Sequence, residues 1–342
     1  MGTFPYWLER IRMAIIENTV TLIDKYHESK QEPPRFHLGA SLIGHKCERY
    51  LWLSFRWAVI QKFEGRILRL FRRGHLEEAN IIKDLRDIGV DIRASQNRVN
   101  FGKHFSGSVD GIIYSGLPES PSKKHVAEFK THSKKSFDDL EKSGLQKSKP
   151  LHYAQMQVYM LGMKIDRSFY LAVCKDDDRI YYERVKLDKA FAESLVEKGH
   201  RITMSDRLPP PMSTDQTWYE CKFCPAHDFC FGSKQTKEAN CRTCAHSTVK
   251  DESIHCERWG SDIPDKAQYQ GCDSHVIHPD LVPWKMESAH DQWHAIYYID
   301  GKPVLNGEEG FKSGEILANP SECSNPSEFT KELRETMEAR IV

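Results

Sequence analysis

The segment KHVAEFKTHSK places a carboxylate and an ammonium group two residues apart in an apolar run, at Glu128 and Lys130. Val126, Ala127 and Phe129 predict a buried β-strand, and side chains two residues apart on a strand share one face. A charge buried on such a face without a partner is costly. The two side chains therefore neutralise each other, reach solvent at a strand end, or hold a charged species between them.

A further carboxylate stands in the preceding strand pattern, FSGSVDGIIY, where glycines flank Asp110. Mg²⁺ and Mn²⁺ prefer oxygen ligands, and Asp110, Glu128 and the backbone carbonyl of Phe129 would supply three of them. Lys130 would then position or deprotonate the attacking water and offset the negative charge that develops on a phosphate. For this motif alone, an ordinary ion pair on a solvated strand face is the alternative.

Two predicted helices carry polar pairs on one side. His75 and Glu78 are three residues apart in RRGHLEEANIIKDL, and Gln155 and Tyr159 are four apart in YAQMQVYM. Residues at these intervals are neighbours on a helix surface. The first pair is placed to enter the same metal site, with Glu77 as the alternative to Glu78. The second pair is placed to orient the lysine or to hold a DNA strand.

The ordered set of motifs resembles the RecB-like branch of the PD-(D/E)XK nucleases, which includes bacterial recombination nucleases and CRISPR-adaptation exonucleases. The motifs are Gly74-His75, the G-x-V-D-G of residues 107–111, Glu128-x-Lys130 and Gln155-x3-Tyr159, and the resemblance covers about residues 41–230. It implies an α/β fold in which helices flank a restriction-endonuclease-like central mixed sheet. It also implies metal-dependent hydrolysis of DNA phosphodiester bonds.

The resemblance further implies individual roles. Catalytic Mg²⁺ or Mn²⁺ would be bound by His75, Asp110 and Glu128, Lys130 would be the catalytic base or water-orienting residue, and Gln155 and Tyr159 would support the site. Superfamily relatives also use a carboxylate on an early helix, a position that Glu78 fits by its spacing. The expected function is a DNA exonuclease of recombination, repair or phage DNA processing, with DNA and a recombination or annealing protein as partners. An endonuclease and a non-catalytic DNA-binding or scaffold protein are the alternatives.

The chain has ten cysteines, and without an export signal these favour thiolate ligands over disulfides. Cys221-x2-Cys224-x5-Cys230 follows the nuclease motifs, and Cys47 precedes them, so one bound group would close a loop of more than 170 residues. This layout resembles the RecB-like nucleases that carry a 4Fe-4S cluster. Tetrahedral Zn²⁺, bound by the three later thiols with Cys47 or His227, is the alternative.

A second cysteine group predicts a structural Zn²⁺ site in a small C-terminal extension. Its candidate ligands are Cys241, Cys244, Cys256 and Cys272, with His275 as a possible substitute and His255 as a weaker one. The extension departs from the family pattern, which needs nothing after Cys230. Cys174 and Cys323 have no partner by spacing and are predicted to be plain thiols.

Whole-molecule charge does not favour nucleic acid, because Lys plus Arg and Asp plus Glu both count 49. DNA binding would therefore depend on local patches near the proposed chemistry. The candidates are Arg66, Arg69, Arg72 and Arg73 before the first motif, and Lys134, Lys135, Lys147 and Lys149 between the last two. The absence of a long apolar run, and the charges within MGTFPYWLERIRMAII, predict a cytoplasmic protein without a membrane partner.

Periodicity and turn signals set out the predicted elements. Helices are predicted at 6–28, 41–59, 65–88, 149–164 and 187–206 and from residue 327, and strands at 90–101, 107–114, 125–131, 168–174 and 179–187. A hairpin is predicted at 294–307, with Asp300-Gly301 at its turn. The predicted domains are an N-terminal helix in 1–35, the nuclease domain in 36–235 and the zinc-binding module in 236–342.

Overall fold

The computed structural model describes residues 18–93, 98–288, 291–337 and 339–341. The helices within these residues are α1 (Thr19–Glu28), α2 (Glu48–Phe55), α3 (Gly65–Asp87), α4 (Lys134–Ser143), α5 (Leu145–Ser148), α6 (Pro150–Met163), α7 (Lys189–Thr203), α8 (Tyr219–Lys222), α9 (His227–Phe231), α10 (Ser313–Ala318), α11 (Pro320–Ser324) and α12 (Glu328–Met337). The strands are β1 (Leu38–Gly39), β2 (Asp91–Arg93), β3 (Arg98–Gly102), β4 (Phe105–Ser108), β5 (Gly111–Ser115), β6 (His125–His132), β7 (Arg167–Cys174), β8 (Ile180–Lys186), β9 (Ser247–Val249), β10 (Ile254–Cys256), β11 (Ser261–Asp262), β12 (Lys285–Ser288), β13 (Ala295–Ile299) and β14 (Lys302–Asn306). Short 3-10 helices span Ala40–Leu42, Cys241–Thr243, Asp265–Tyr269 and Pro279–Leu281.

A five-stranded mixed sheet with the order β2-β5-β6-β7-β8 forms the centre of the fold. Strands β6 and β7 are parallel, and the other neighbours are antiparallel. Because side chains alternate along β6, Ala127 and Phe129 pack with the apolar residues of α3, such as Ile82. Val126 packs in the larger core with Met156 of α6. The prediction of an α/β fold with a central mixed sheet flanked by helices is confirmed.

The local periodicities predicted most elements around the site. Helices α3 and α6 and strands β6, β7 and β8 begin and end within two residues of the predicted bounds. The predicted helix 41–59 is wrong at its start, because α2 begins only at Glu48. Before it, the backbone runs close to α6: a Cβ added to Gly44 would lie 2.8 Å from the Cβ of Ala154. The predicted helix 6–28 lies largely outside the described residues, and its described end is α1.

Two predicted strands are divided in the structure. The prediction 90–101 corresponds to β2 and β3, and 107–114 corresponds to β4 and β5 with Asp110 at the break. Strand β4 pairs with β1 and β3 in a separate three-stranded sheet, whereas β5 joins the central sheet. Asp110 therefore lies where the chain passes from one sheet to the other, which a continuous strand pattern does not reveal.

The C-terminal hairpin is confirmed as β13 and β14, with positive φ at Asp300 and Gly301 in its turn. Strand β12 adds a third antiparallel strand. The apolar core continues from the central sheet into this region, where it includes Ile277 and Tyr297. The division of the chain at 235 and 236 stays a prediction. Among the described residues, no helix has both the length and the apolar composition that crossing a membrane requires.

Arg242 fastens the C-terminal region to the rest of the chain. Its side chain is buried and donates hydrogen bonds of 2.9 Å to the carbonyls of Phe55 and Phe36 and to Gln268 Oε1. The guanidinium carbon lies 4.2 Å from the centre of the Trp57 ring, which adds a cation–π contact. The two parts of the chain are thus joined by directional contacts as well as by apolar packing.

Arg242→Met is expected to lower the free energy of unfolding by about 3 to 5 kcal/mol, because three buried acceptors lose their donor. Urea unfolding followed by tryptophan fluorescence measures this. Arg207→Met removes an exposed guanidinium that pairs with Asp280, and it is expected to cost less than about 1 kcal/mol. Equal stability of the two variants would show that Arg242 is not an anchor.

Candidate active site

Asp110, Glu128 and Lys130 come together at β6, the middle strand of the central sheet. Asp110 Oδ2 accepts a hydrogen bond of 2.8 Å from the Phe129 N–H and lies 3.7 Å from Lys130 Nζ. Lys130 Nζ forms an ion pair with Glu128 Oε1 and donates a hydrogen bond of 3.0 Å to the Phe129 carbonyl. The ammonium group thus lies against both carboxylates and also engages the predicted carbonyl ligand.

Glu128 is fully buried; its Oε1 pairs with the Lys130 ammonium, and no described residue donates a hydrogen bond to its Oε2. Burial raises the pKa of Glu128 to about 8, and the neighbouring Lys130 opposes this shift. Burial disfavours the ammonium form of Lys130, but Glu128 and Asp110 outweigh that effect and raise its pKa. A buried carboxylate with one unsatisfied oxygen is suited to a cation as a further partner.

Helix α3 brings Glu78 and His75 to the same region. Burial raises the pKa of Glu78, Asp110 adds to the shift, and Lys130 and His75 oppose it. These interactions mean that the Glu78 carboxylate lies within electrostatic range of the other charged groups. His75 is exposed one turn earlier on the helix. Glu78 thus lies near Asp110 and Lys130, and His75 acts on the same carboxylate from one turn away.

In the described part of the chain, no group of three or more His, Cys, Asp or Glu side chains is arranged as a ready metal-binding shell. The ligand types nevertheless suit Mg²⁺ or Mn²⁺: two carboxylates lie at the site, one of them buried with one unsatisfied oxygen. Glu78 would add a third carboxylate. The residues fit a divalent ion, and the ion itself stays a prediction.

Gln155 and Tyr159 are both buried on α6, and Gln155 Nε2 donates to the Tyr159 hydroxyl at 3.4 Å. Burial raises the pKa of Tyr159, and Glu128 adds to the shift, so the phenol is neutral. The hydroxyl also lies against Gly107 in the G-x-V-D-G segment: an added Cβ there would be 2.5 Å from Tyr159 Oη and 2.7 Å from the Cβ of Ala40. The glycine therefore permits the approach that positions Tyr159.

Gly107→Ala is expected to displace Tyr159 and to lower kcat for DNA cleavage about tenfold or more, since small misplacements of catalytic groups are costly. It is also expected to lower the free energy of unfolding by about 1 to 3 kcal/mol through overpacking. Steady-state kinetics and urea unfolding measure the two effects. Gly314→Ala is the matched control, since a Cβ there meets no atom within 4 Å.

A cleft of about 650 Å³ begins at His75 and extends toward the segment before α2. Its apolar floor includes Phe63 and Phe71, whose rings meet edge to face at 5.0 Å. Its far end includes Arg35 and His37. Of the proposed metal ligands, His75 borders this groove, and its aromatic and basic walls suit a nucleic-acid strand.

Three arginines lie within electrostatic range of His37, which borders the far end of the cleft. Burial lowers the pKa of His37 to about 4, with Arg98, Arg35 and Arg242 contributing to the shift. Arg98 Nη2 lies 3.2 Å from His37 Nδ1 and donates a hydrogen bond of 3.0 Å to Ser106 Oγ. The arginines come from distant parts of the sequence, so the linear search for basic runs missed them. The local positive charge suits a phosphate group.

The predicted DNA-binding residues differ in their engagement. Arg66, Arg72 and Lys135 are exposed. Arg69 forms an ion pair with Asp24, and Arg73 Nη2 donates to the Lys175 carbonyl at 2.8 Å. Lys134 lies 3.5 Å from Asp138 and 3.6 Å from Asp177, in an acidic setting. The geometry favours the exposed members of the set for phosphate contact.

Cys47, Cys221, Cys224 and Cys230 line one small cavity, as does His227. Burial raises the pKa of Cys224 to about 11, and Cys47 and the other two thiols contribute to the shift. Thiols that disfavour each other's ionised forms are ready ligands for a cation, which reverses that effect. The four predicted cysteines thus line one cavity, and the cluster or Zn²⁺ that they would hold stays a prediction.

The second set, Cys241, Cys244, Cys256 and Cys272, also lines one cavity. Burial raises the pKa of Cys241 to about 11, followed by the effects of Cys272 and Cys256. His275 borders this cavity, but its Nδ1 lies 2.7 Å from Ser313 Oγ and its Nε2 lies 2.9 Å from the Asn240 carbonyl. The four thiols are therefore better placed as ligands than His275, and the zinc site stays a prediction.

No known family profile matches this sequence, and no curated protein matches it. Among solved structures, the chain resembles SSO0001 at 15% identity and a TM-score of 0.40, covering 63% of this chain and 98% of that one. It resembles LHK-Exo in complex with dAMP at 17% identity and a TM-score of 0.37, and the match covers 48% of this chain and 85% of that one. The alkaline exonuclease LHK-Exo from Laribacter hongkongensis shows 16% identity and a TM-score of 0.34, and the match covers 52% of this chain and 90% of that one. Likeness at these scores assigns neither a family nor a chemistry to the chain.

Proposed function

We propose that the protein is a metal-dependent DNA exonuclease that hydrolyses phosphodiester bonds in recombination, repair or phage DNA processing. The observation that carries the proposal is the buried Glu128 carboxylate, whose Oε1 pairs with Lys130, whose Oε2 has no hydrogen-bond partner among the described residues, and which lies close to Asp110. A structural ion pair has no need for a second carboxylate beside it. A site that binds a cation and then a phosphate accounts for both carboxylates and the lysine.

Each residue then has a separate task. Asp110 and Glu128 would hold Mg²⁺ or Mn²⁺, with Glu78 and His75 completing the ligand set from α3. The ion, when bound, would lower the pKa of a water molecule and offset phosphate charge. Lys130 orients the attacking water and stabilises the negative charge that develops on the phosphate oxygens. Gln155 and Tyr159 hold the surrounding face in place.

The substrate strand is proposed to lie in the cleft between His75 and Arg35, with phosphates near the basic end and bases against the aromatic floor. The exposed Arg66 and Arg72 would extend this contact along α3. The proposal includes a recombination or annealing protein as partner. It also includes a 4Fe-4S cluster or Zn²⁺ bound by Cys47, Cys221, Cys224 and Cys230, and Zn²⁺ bound by the second set of thiols.

End-labelled linear DNA and circular DNA, each single- and double-stranded, test the proposal with anaerobically purified protein and Mg²⁺ or Mn²⁺. Cleavage of linear DNA alone, abolished by EDTA and by Asp110→Asn, is expected, and the released label gives the polarity. Cleavage of circles would identify an endonuclease instead. Folded, metal-replete protein that binds but does not cleave DNA would indicate a non-catalytic binding protein.

A further inference from the structure

A chain of two imidazoles and one phenol lies on the same sheet face as Glu128 and Lys130. Because side chains alternate along β6, His132 follows those two residues on that face. His132 Nε2 lies 2.8 Å from the Tyr170 hydroxyl, which lies 3.1 Å from His152 Nδ1. Tyr170 is fully buried, and His132 is nearly so. The chain is thus a buried polar connection next to the proposed chemistry.

This connection joins the two elements that carry the proposed site. His132 ends β6, and His152 lies in the first turn of α6. Tyr170 lies between them on β7, where it pairs in register with Glu128. His132 Nδ1 also lies 3.2 Å from Ser136 Oγ on α4. Tyr170 therefore links strand and helix through a single hydroxyl group.

The helix end of the connection is continuous with the supporting residues. Gln155 and Tyr159 lie three and seven residues after His152, so all three share one side of α6. A shift of His152 relative to β6 would move Gln155 and Tyr159 relative to Lys130. The positions of Gln155 and Tyr159 thus depend on the Tyr170 hydroxyl.

The protonation states are compatible with this arrangement. Burial lowers the pKa of His132 to about 4, and Lys149 and Lys130 add to the shift. Burial lowers the pKa of His152 to about 3, and Lys130 adds to the shift. Both imidazoles are then neutral near pH 7. A neutral imidazole offers one donor and one acceptor, so the Tyr170 hydroxyl can donate to one ring and accept from the other.

We propose that Tyr170 is a positioning residue of the active site, which holds the strand bearing Glu128 and Lys130 at a fixed distance from the helix bearing Gln155 and Tyr159. The inference rests on the proposed nuclease function. Tyr170 contacts neither substrate nor metal and acts only through His132 and His152. Loss of its hydroxyl should therefore impair the chemical step and leave DNA binding nearly unchanged.

Tyr170→Phe tests this by steady-state cleavage of end-labelled DNA. We expect kcat to fall about tenfold while KM for DNA stays within about twofold. Tyr181→Phe is the matched control, since it removes a hydroxyl that donates to Glu183 on the neighbouring strand of the same sheet. That variant is expected to keep the wild-type kcat. Thermal unfolding of each variant shows whether it is folded at the assay temperature.

His152→Leu removes the other end of the connection at a less buried position, and it serves if Tyr170→Phe does not fold. We expect it to lower kcat to the same degree, and the double variant to be no worse than either single one. Unchanged kcat in folded single variants, or additive losses in the double variant, would overturn the proposal while wild-type cleavage upholds the nuclease function. Absence of cleavage by the wild type would instead overturn both.

Discussion

Glu128→Gln is expected to lower kcat for DNA cleavage at least about a thousandfold and to leave the protein folded. The side chain is fully buried, and burial already favours its neutral form by raising the pKa to about 8. The amide has nearly the same shape but carries no charge for a divalent ion. The variant therefore removes the proposed ligand with little change in packing.

The stability of this variant separates a catalytic from a structural role. If the Glu128–Lys130 ion pair served only the fold, the amide would leave a half-buried ammonium with one fewer partner and cost about 3 kcal/mol or more. If the carboxylate serves catalysis, its removal relieves part of the desolvation penalty, and stability should change by less than about 1 kcal/mol. Glu193→Gln, an exposed carboxylate that pairs with Lys189, should keep both activity and stability. Glu128→Gln with full activity would exclude the proposed metal site.

The sequence was most informative where the periodicity is local. The alternation in VAEFK placed Glu128 and Lys130 on one face of β6, and the helical spacing placed Gln155 and Tyr159 together on α6. Both relationships depend only on backbone geometry within one element. The same alternation also covers His132, which was the available signal for the third polar residue on that face.

Contacts between distant segments were harder to predict. Arg35, Arg98 and Arg242 act electrostatically on His37 from three separate regions of the chain, and no linear basic run marks them. Helix α4 was missed because its lysines suggested a solvated DNA-binding segment, although Phe137 and Leu140 are three residues apart and buried. Its Lys134 is paired with aspartates instead. Tertiary pairing of charges is therefore what the sequence could not supply.

The cysteines are an instructive intermediate case. Spacing alone grouped Cys221, Cys224 and Cys230, because three thiols within ten residues can reach one centre. Cys47 was added only through the resemblance to iron-sulfur nucleases. The structure places it at the same cavity, directly before α2. Sequence spacing thus identifies short-range ligands, whereas a distant ligand requires either a family pattern or a fold.

Cys47→Ser is expected to remove the metal of the first thiol set and to lower the free energy of unfolding by about 4 to 5 kcal/mol. A bound group that joins Cys47 to the later cysteines closes a loop of more than 170 residues. Closing so long a loop lowers the conformational entropy of the unfolded chain, which stabilises the folded protein by about that free energy. Urea unfolding under anaerobic, reducing conditions measures the loss. Iron and zinc per chain, determined by elemental mass spectrometry on the same samples, identify the metal.

The comparison variant is Cys323→Ser, which alters another buried thiol outside both cysteine cavities. It should retain the wild-type metal content and lose no more than about 2 kcal/mol. Iron lost together with stability in Cys47→Ser would establish the long-range cluster. Zinc retained at the wild-type level, with stability unchanged, would assign the fourth position to His227, because that imidazole lines the same cavity. Unchanged iron content would exclude Cys47 as a cluster ligand.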